Sequence, residues 1–291
     1  MSMVVGRCLW RTGLVILLFC CSAKVVLANE EATNHILIRQ SNITDINNED
    51  YYFYRLLELV LRKTDTPPEI TQVKQLPYRL EDKRLRSSLM QGSVDVLWSP
   101  TSAEFERQML PVKISLLKDL NNYRLFLIRK NEQARFSAIH SLENLRQLKG
   151  GMSSQWIDAK IMKYNNLPLV EAVGYGKLFK MLAAKRFDYF SRGLYQIYSE
   201  VNFYPEFELQ IEQELMLRYQ NPVYFFVNKN NVALAKRLKT GLEIAQRDGS
   251  FDELFNSIPR YRWGTEVLKT HKRRVFELQP LPGFVPAADD H

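Results

Sequence analysis

The residues best suited to chemistry in this sequence carry hydroxyl and guanidinium groups. Ser99, Thr101 and Ser102 form a hydroxyl-rich stretch directly after Trp98, and Arg107 follows five residues after Ser102. A guanidinium group presents fixed N–H donors that match a carboxylate in pairs, and an indole adds a flat apolar face with one donor. These residue types suit the binding of an anionic organic group. The alternatives are a tryptophan in the core and an arginine at a solvent-exposed helix start.

A second group of hydroxyl side chains follows a pair of glycines. Ser153 and Ser154 come after Gly150–Gly151 and directly before a predicted helix that includes Asp158. Hydroxyl groups and the free backbone N–H groups at a helix start can hold an anion, and the same hydroxyls can simply cap the helix. Trp156 and Asp158 would then lie in the first turn, facing either a cleft or solvent.

The sequence lacks the patterns of several other chemistries. Its four histidines, at positions 35, 140, 271 and 291, form no i, i+4 pair, so no zinc site is predicted. It contains no nucleophile elbow, no phosphate-binding loop and no dinucleotide-binding glycine motif. The one basic cluster, Lys269–Arg274, favours a solvated face or contact with anionic lipid over nucleic acid. We therefore predict no catalytic residues, no metal and no cofactor.

The first 28 residues have the organisation of an export signal. Arg7 and Arg11 precede an apolar run at residues 14–21, and small residues end at Ala28. This pattern predicts a secretory signal peptide that is cleaved after Ala28, with retention as an anchor as the alternative. Cleavage removes three basic residues and no acidic residue, which lowers the net charge from +8 to +5. It also removes all three cysteines, so we predict an exported protein without disulfides.

Short apolar strands alternate with amphipathic helices along the rest of the chain. Residues 35–39, 69–75 and 94–98 are predicted strands, with helices between them at 52–61 and 81–90. This order predicts a parallel sheet covered by helices. The later predicted elements are strands at 123–129, 169–173, 187–190 and 223–227, and helices from 158, across 178–182 and over 235–245.

Several short segments, in this order along one chain, resemble a known family. The sequence is similar to the family 3, amino-acid type, bacterial periplasmic solute-binding proteins from about Asn34 to Ser257. A narrower resemblance is to a proteobacterial subgroup of that family with unknown ligand. The first resemblance rests on Gln91–Val96, Ser99–Arg107 and Asp248–Phe255, and the second on Trp156–Asp158, Leu178–Leu182 and Arg186–Gly193.

The resemblance implies an α/β fold of the two-lobed type 2 periplasmic-binding-protein class. In that fold each lobe is a mostly parallel sheet flanked by helices, and the ligand is held between the lobes. After the signal peptide at 1–28, the implied division is residues 29–122 and 221–270 for lobe 1 and residues 123–220 for lobe 2. Apart from the resemblance, the chain from Lys272 is basic and then proline-rich, which predicts a C-terminal extended tail at 271–291 rather than a packed element.

The resemblance also implies the binding residues. Arg107 corresponds to an arginine that binds the ligand carboxylate in the family, with Ser99, Thr101 and Ser102 donating from the same loop and Trp98 forming a wall or floor. The hydroxyl groups of Ser153 and Ser154, with Trp156 beside them, correspond to the anion site of lobe 2.

Arg192 marks a departure from the family pattern. Many amino-acid binders place an aspartate after the predicted strand at 187–190 to hold the ligand's ammonium group, whereas here that position falls on Gly193, next to Arg192. A cation there would repel an ammonium group. Arg107 and Arg192 together would instead favour a ligand with two anionic ends, or with one anion and an aromatic ring. The alternative for Arg192 is a surface position.

The implied function is capture of a small, anionic or carboxylate-bearing, amino-acid-like solute by hinge closure, for an ABC transporter. We expect a periplasmic monomer whose partners are the ligand and an inner-membrane permease or sensor receptor, without nucleic acid. The alternatives are a sensor subunit and a dehydratase-like cleft enzyme. For the enzyme, Glu104, Glu106 or Asp158 would supply acid–base chemistry, but no paired carboxylates or histidine lie in the predicted loops. We therefore predict a binding protein rather than an enzyme.

Overall fold

Two sheets and the helices around them make up the described part of the chain. This computed structural model describes residues 33–38, 43–67, 69–78, 80–270 and 272–282. The predicted signal peptide lies outside these residues and stays a prediction. Within the described ranges, no helix combines the length and the apolar character that a membrane span requires.

The strands of the described residues are β1 (Thr33–Ile38), β2 (Ile70–Gln75), β3 (Val96–Pro100), β4 (Met109–Val112), β5 (Tyr123–Arg129), β6 (Gly150–Ser153), β7 (Leu169–Ala172), β8 (Tyr189–Gly193), β9 (Leu209–Ile211), β10 (Leu215–Arg218), β11 (Val223–Asn228) and β12 (Arg274–Glu277). The α-helices are α1 (Tyr51–Arg62), α2 (Asp82–Gln91), α3 (Ala103–Gln108), α4 (Gln133–Ser137), α5 (Leu142–Leu145), α6 (Ile157–Tyr164), α7 (Tyr175–Ala183), α8 (Ile197–Glu200), α9 (Val232–Arg247), α10 (Ser250–Ser257) and α11 (Pro259–Thr270).

The first sheet has the strand order β2-β1-β3-β11-β4. Strands β1, β2 and β3 pair in parallel, and β11 is antiparallel to both β3 and β4. The amphipathic helix α1 covers this sheet through a buried apolar face that includes Leu56, Leu57 and Val60, and it packs on α9. The sheet therefore combines strands β1 to β4 with β11, which follows most of the second sheet in the sequence.

The second sheet has the order β12-β10-β5-β8-β6-β7, with β9 pairing on β5. Strand β5 is antiparallel to β8, β9 and β10, while the remaining pairs are parallel. One strand in each sheet, β11 or β5, thus opposes the direction of all the others. The α/β class and the two-lobed, mostly parallel organisation expected from the sequence are confirmed.

Two crossover segments run side by side between the sheets, from β4 to β5 and from β10 to β11. The Nδ2 group of Asn121 donates to the carbonyl of Asn221, and the backbone N–H of Asn221 donates to Oδ1 of Asn122 at 2.9 Å. The backbone N–H of Tyr219 donates to the carbonyl of Asn122 at 3.0 Å. These bonds join the two segments where the chain passes between the sheets.

The chain returns to the second sheet after α11. Residues 274–277, which the sequence placed in an extended tail, form strand β12 and pair in parallel with β10. Phe276 and Leu278 are buried in the core of this sheet, and Asn165 exchanges hydrogen bonds of 2.7 and 2.9 Å with the backbone of Gln279. The expectation of an extended tail that is not packed is therefore wrong for this segment, because its apolar side chains complete the edge of the sheet.

Candidate functional site

A cavity of about 160 Å³ is lined by residues of both sheets and of the helices beside them. Elements of both sheets contribute to its lining; below, lobe 1 denotes the first sheet with its helices and lobe 2 the second sheet with its helices. From lobe 1 these include Glu49, Asp50, Phe53, Glu81, Asp82, Arg86, Trp98 and Ser99, and from lobe 2 Arg124, Ser153, Gln155, Trp156, Asp158, Tyr175, Ser191, Arg192, Tyr195 and Gln196. We call this the central cavity.

The lobe 1 wall joins the start of α1 to the end of β3. The indole Nε1 of Trp98 donates to Oδ1 of Asp50 at 2.7 Å, and Phe53 stacks on the Trp98 ring with 5.6 Å between centroids. Trp98 is buried against this wall, and Ser99, at the end of β3, also lines the cavity. The tryptophan that the sequence singled out thus holds a carboxylate of its own lobe in place.

Arg192 lies in β8 and is paired with Glu200 of α8. Nε donates to Oε2 at 2.7 Å and Nη2 donates to Oε1 at 2.5 Å, while the side chains are only 5% and 2% exposed. The hydroxyl of Tyr175 also donates to Oε1 of Glu200, at 2.6 Å. Burial lowers the pKa of the Arg192 guanidinium, but Glu200 outweighs burial and raises this pKa above its usual value. Arg192 is therefore charged, and two of its nitrogens are committed to a carboxylate of its own lobe.

Aromatic rings surround the same guanidinium. Its carbon lies 4.6 Å from the Trp156 ring centroid and 4.9 Å from that of Phe190, and Trp156 and Phe190 are nearly parallel. Tyr175 lies 5.4 Å away on another side. Cation–π contacts of this kind gain strength where water is excluded. Trp156, predicted to face either a cleft or solvent, lies between this cluster and the central cavity.

A second buried pair, Arg124 with Asp158, connects the crossover segments to α6. Nε and Nη2 of Arg124 both lie 2.9 Å from Oδ1 of Asp158, and the Tyr219 hydroxyl donates to the same oxygen at 2.6 Å. Nη1 of Arg124 donates to the carbonyl of Asn121 at 2.5 Å. Burial raises the pKa of Asp158, but Arg124 and Tyr219 outweigh burial and lower this pKa. Asp158 is therefore an ionised structural partner.

Sequence reasoning missed Arg124 altogether. Its signal was a charge at the second position of the strand Tyr123–Arg129, directly before the apolar run Leu125–Ile128, and both Arg124 and this run are buried. A charge there must find a partner, because an unpaired buried guanidinium is costly.

The hydroxyl groups before α6 have separate roles. Ser153 is buried, lines the central cavity and accepts a hydrogen bond from the backbone N–H of Gln155 at 3.3 Å. Ser154 is exposed, and its backbone N–H donates to the carbonyl of Ala172 at 3.3 Å. Of the two serines considered as an anion site, only Ser153 is therefore in the cavity lining.

Ser191 is a polar group that the sequence did not single out. It lies in β8 beside Arg192, is 1% exposed and lines the central cavity. Its Oγ has no hydrogen-bond partner among the described residues. The Ser191 hydroxyl is therefore available to a group in the cavity, whether water or solute.

Arg107 and its loop lie apart from the central cavity. Arg107 is exposed and lines a second cavity of about 210 Å³, together with Thr101, Ser102 and residues of α6. The Oγ of Ser102 caps α3 by accepting from the backbone N–H of Phe105 at 3.2 Å, and Oγ1 of Thr101 donates to Glu106 at 2.9 Å. The structure does not bring Arg107 and Arg192 into one cavity.

Comparisons with known proteins identify the fold. No family model matches the chain, and no curated protein matches it. Similar solved structures include an ancestral arginine-binding protein bound to arginine, with 16% identity, a TM-score of 0.58, and coverage of 78% of this chain and 98% of that chain. A histidine kinase sensor domain with similarity to periplasmic binding proteins has 15% identity, a TM-score of 0.56, and coverage of 78% and 96%.

The substrate-binding protein of an amino acid ABC transporter is a third similar structure. It has 15% identity and a TM-score of 0.52, and the alignment covers 72% of this chain and 87% of that chain. At these identities the likeness concerns the fold. The chain has the fold of periplasmic binding proteins.

Proposed function

We propose that this protein binds a small organic solute in the central cavity and closes its two lobes around it. The observation that carries the proposal is a cavity between the lobes that is lined from both sides and contains buried polar groups. Two side-by-side crossover segments are the natural place for a hinge. A ligand that contacts both walls favours the closed state because only that state makes both sets of contacts.

The partner in this proposal is an inner-membrane ABC permease or a sensor receptor, and the protein acts in the periplasm as a monomer. Both a transporter-type binding protein and a sensor domain share the fold. The predicted signal peptide supports a location outside the cytoplasm.

The positions of the candidate acids support binding over catalysis. Glu104 lies outside the central cavity and pairs with Lys160 at 2.8 Å, and Glu106 pairs with Lys113 at 2.7 Å. Asp158 is engaged by Arg124. None of these three side chains forms a carboxylate pair in the cavity with another, which an acid–base enzyme of the predicted type would use.

The proposal leaves out the anionic ligand expected from the sequence. That expectation required Arg107 and Arg192 to face one ligand. Arg107 lines the second cavity and Arg192 is neutralised by Glu200. From the expectation based on the sequence, we keep solute binding between the lobes and drop the anionic ligand.

A thermal-shift screen of amino acids, amines, dicarboxylates and aromatic acids tests the proposal. A ligand at 100 times its dissociation constant should stabilise the protein by about 2.7 kcal/mol. Ser99→Trp, which adds an indole to the cavity lining, should abolish the shift, whereas Ser93→Trp at an exposed position outside the lining should keep it. Equal shifts in both variants, or chemically altered ligand recovered by mass spectrometry, would contradict the proposal.

A further inference from the structure

Helix α11 contacts both lobes, and its first turn is fixed to lobe 1. Nη2 of Arg260, a residue that is 3% exposed, donates to the carbonyl of Asn48 at 3.2 Å. The buried ring of Tyr261 lies 4.8 Å from that of Tyr52 in α1 and 5.0 Å from that of Phe255 in α10, measured between centroids. The start of α11 is therefore anchored in the core of lobe 1.

The middle of α11 packs on lobe 2 and on a crossover segment. The ring centroid of Trp263 lies 5.2 Å from that of Tyr198 in α8. A Cβ atom on Gly264 would come within 3.3 Å of Leu120, in the segment from β4 to β5, and of Leu194, which follows β8. Because glycine has no Cβ, the helix can lie this close to the crossover and to lobe 2.

The chain after α11 is fixed to lobe 2 within a few residues. Residues 271–273 alone separate the end of α11 from β12, which begins at Arg274 and pairs with β10. Nη1 of Arg273 donates to the carbonyls of Glu212 and Leu215, at 2.5 and 3.2 Å. Within the described ranges, the chain thus passes between the lobes a third time, by way of α11.

We infer that residues 259–278, which we call the α11–β12 strap, limit how far the two lobes rotate against each other. An α-helix has a fixed rise of about 1.5 Å per residue, so α11 does not stretch. An extended chain spans at most about 3.6 Å per residue, so the three residues before β12 provide little slack. A large rotation at the crossover segments would have to break the contacts of α11 with one lobe.

The strap also affects how readily the protein binds a solute. The described arrangement has contacts across the cleft, from Nε2 of Gln196 to Glu49 at 3.2 Å and from Lys160 to Glu104 at 2.8 Å. A strap that holds the lobes near this arrangement keeps a larger fraction of the molecules ready to bind, which raises the apparent affinity. The inference concerns the movement of the lobes and does not depend on which solute is bound.

The distance between two spin labels, one on each lobe, tests the limit. Lys83→Cys on α2 and Lys177→Cys on α7 place the labels at exposed positions of lobe 1 and lobe 2. The cysteines at positions 8, 20 and 21 are replaced by serine in the full chain, so that only these two sites are labelled. Double electron–electron resonance then gives the distribution of the distance between the labels without ligand.

Lengthening the strap should release the lobes. Four or eight Gly/Ser residues are inserted after the exposed Lys272, and eight such residues span about 16 Å. With eight residues the distance distribution should become about twofold wider and shift to longer distances, and with four it should widen less. The same insertions after Asn230, in an exposed turn inside lobe 1, should leave the distribution unchanged.

Hydrogen exchange shows the state of β12 in each variant. The backbone N–H of Leu278 donates to the carbonyl of Arg218 at 2.9 Å, so its protection reports whether the strand remains paired. The melting temperature reports whether the rest of the chain has folded, and the insertion of four residues is the milder variant.

The results decide the inference in either direction. Widening that occurs only with the insertions after Lys272 supports it. An unchanged distribution overturns it, whether or not β12 remains paired, because the crossover segments alone would then hold the lobes. Equal widening with the insertions after Asn230 also overturns it, because the effect would not belong to the strap. Solute binding in the central cavity is decided separately by the thermal-shift screen.

Discussion

The two walls of the central cavity hold charge in opposite ways. The lobe 2 wall buries two arginines, Arg124 and Arg192, and gives each a carboxylate from its own lobe. Among the described residues, the lobe 1 wall has four carboxylates and one arginine in the lining. The two walls therefore use charged side chains in two ways that the sequence alone does not distinguish. Lobe 2 pairs its buried arginines with its own carboxylates, while carboxylates of lobe 1 lie in the cavity lining, where Trp98 orients Asp50.

The largest expected effect comes from breaking the Arg192–Glu200 pair. Arg192→Met leaves Glu200 buried and without its guanidinium partner, so the free energy of unfolding should fall by about 3–5 kcal/mol. Chemical denaturation of the full chain measures this. The double variant Arg192→Met, Glu200→Leu should recover much of the loss because no buried charge remains. A loss below about 1 kcal/mol in the single variant would show that Arg192 is not held as described.

The second-largest effect on the free energy of unfolding is expected from the Arg124–Asp158 pair, and this effect depends on pH. Asp158→Asn should lower the free energy of unfolding by about 2–3 kcal/mol at pH 7, because Arg124 loses a buried counter-charge. The pKa of Asp158 is lowered in the folded protein. Its contribution is therefore present above the unfolded value of about 3.9 and is lost as pH falls through the folded value.

Denaturation between pH 7 and pH 2 tests this sign. Wild type should lose stability more steeply below about pH 4 than Asp158→Asn does. Asp252→Asn, which removes an exposed pair with Lys118 at 2.9 Å, should change the unfolding free energy by less than about 0.5 kcal/mol. Parallel pH curves for wild type and Asp158→Asn would contradict the assignment.

A smaller effect is expected on the lobe 1 wall. Trp98→Phe removes the donor to Asp50 but keeps an aromatic ring against Phe53, so it should cost about 1–2 kcal/mol of the unfolding free energy. The same variant should weaken ligand binding more than Asp158→Asn does, because Trp98 orients a carboxylate that faces the cleft. Calorimetric titration measures both affinities. If Asp158→Asn weakens ligand binding more than Trp98→Phe does, the proposed difference between the two walls is wrong.

The fold was largely predictable because its signals are local. The apolar strand at 123–129 and the periodic helix α1 follow from hydrophobic spacing, and Gly92 and Gly249 end their helices with φ of +77° and +81°. Strand β6 was missed because Gly150–Gly151 reads as a turn. There the glycines serve close packing, since a Cβ on Gly151 would collide with the ring of Phe187.

The site was less predictable because it depends on which side chains pair with each other in the folded protein. Trp98, Ser99, Ser153, Trp156 and Arg192 were singled out and all line the central cavity. What no local pattern could indicate is that Glu200 lies against Arg192, or that Asp158 lies against a strand more than thirty residues earlier in the chain. The charge that a ligand meets depends on these partners rather than on the arginine alone.

The smallest expected effect belongs to Arg107, the residue from which the anion expectation began. Its side chain is exposed and lines the second cavity, so Arg107→Ala should change the free energy of unfolding by less than about 0.5 kcal/mol. It should also change the affinity of the cleft ligand by less than twofold, as should the control Arg84→Ala on the exposed face of α2. A tenfold loss of affinity in Arg107→Ala alone would place the ligand near the second cavity. The contrast between the two walls would then no longer describe the binding site, because the decisive contact would come from a residue of neither wall.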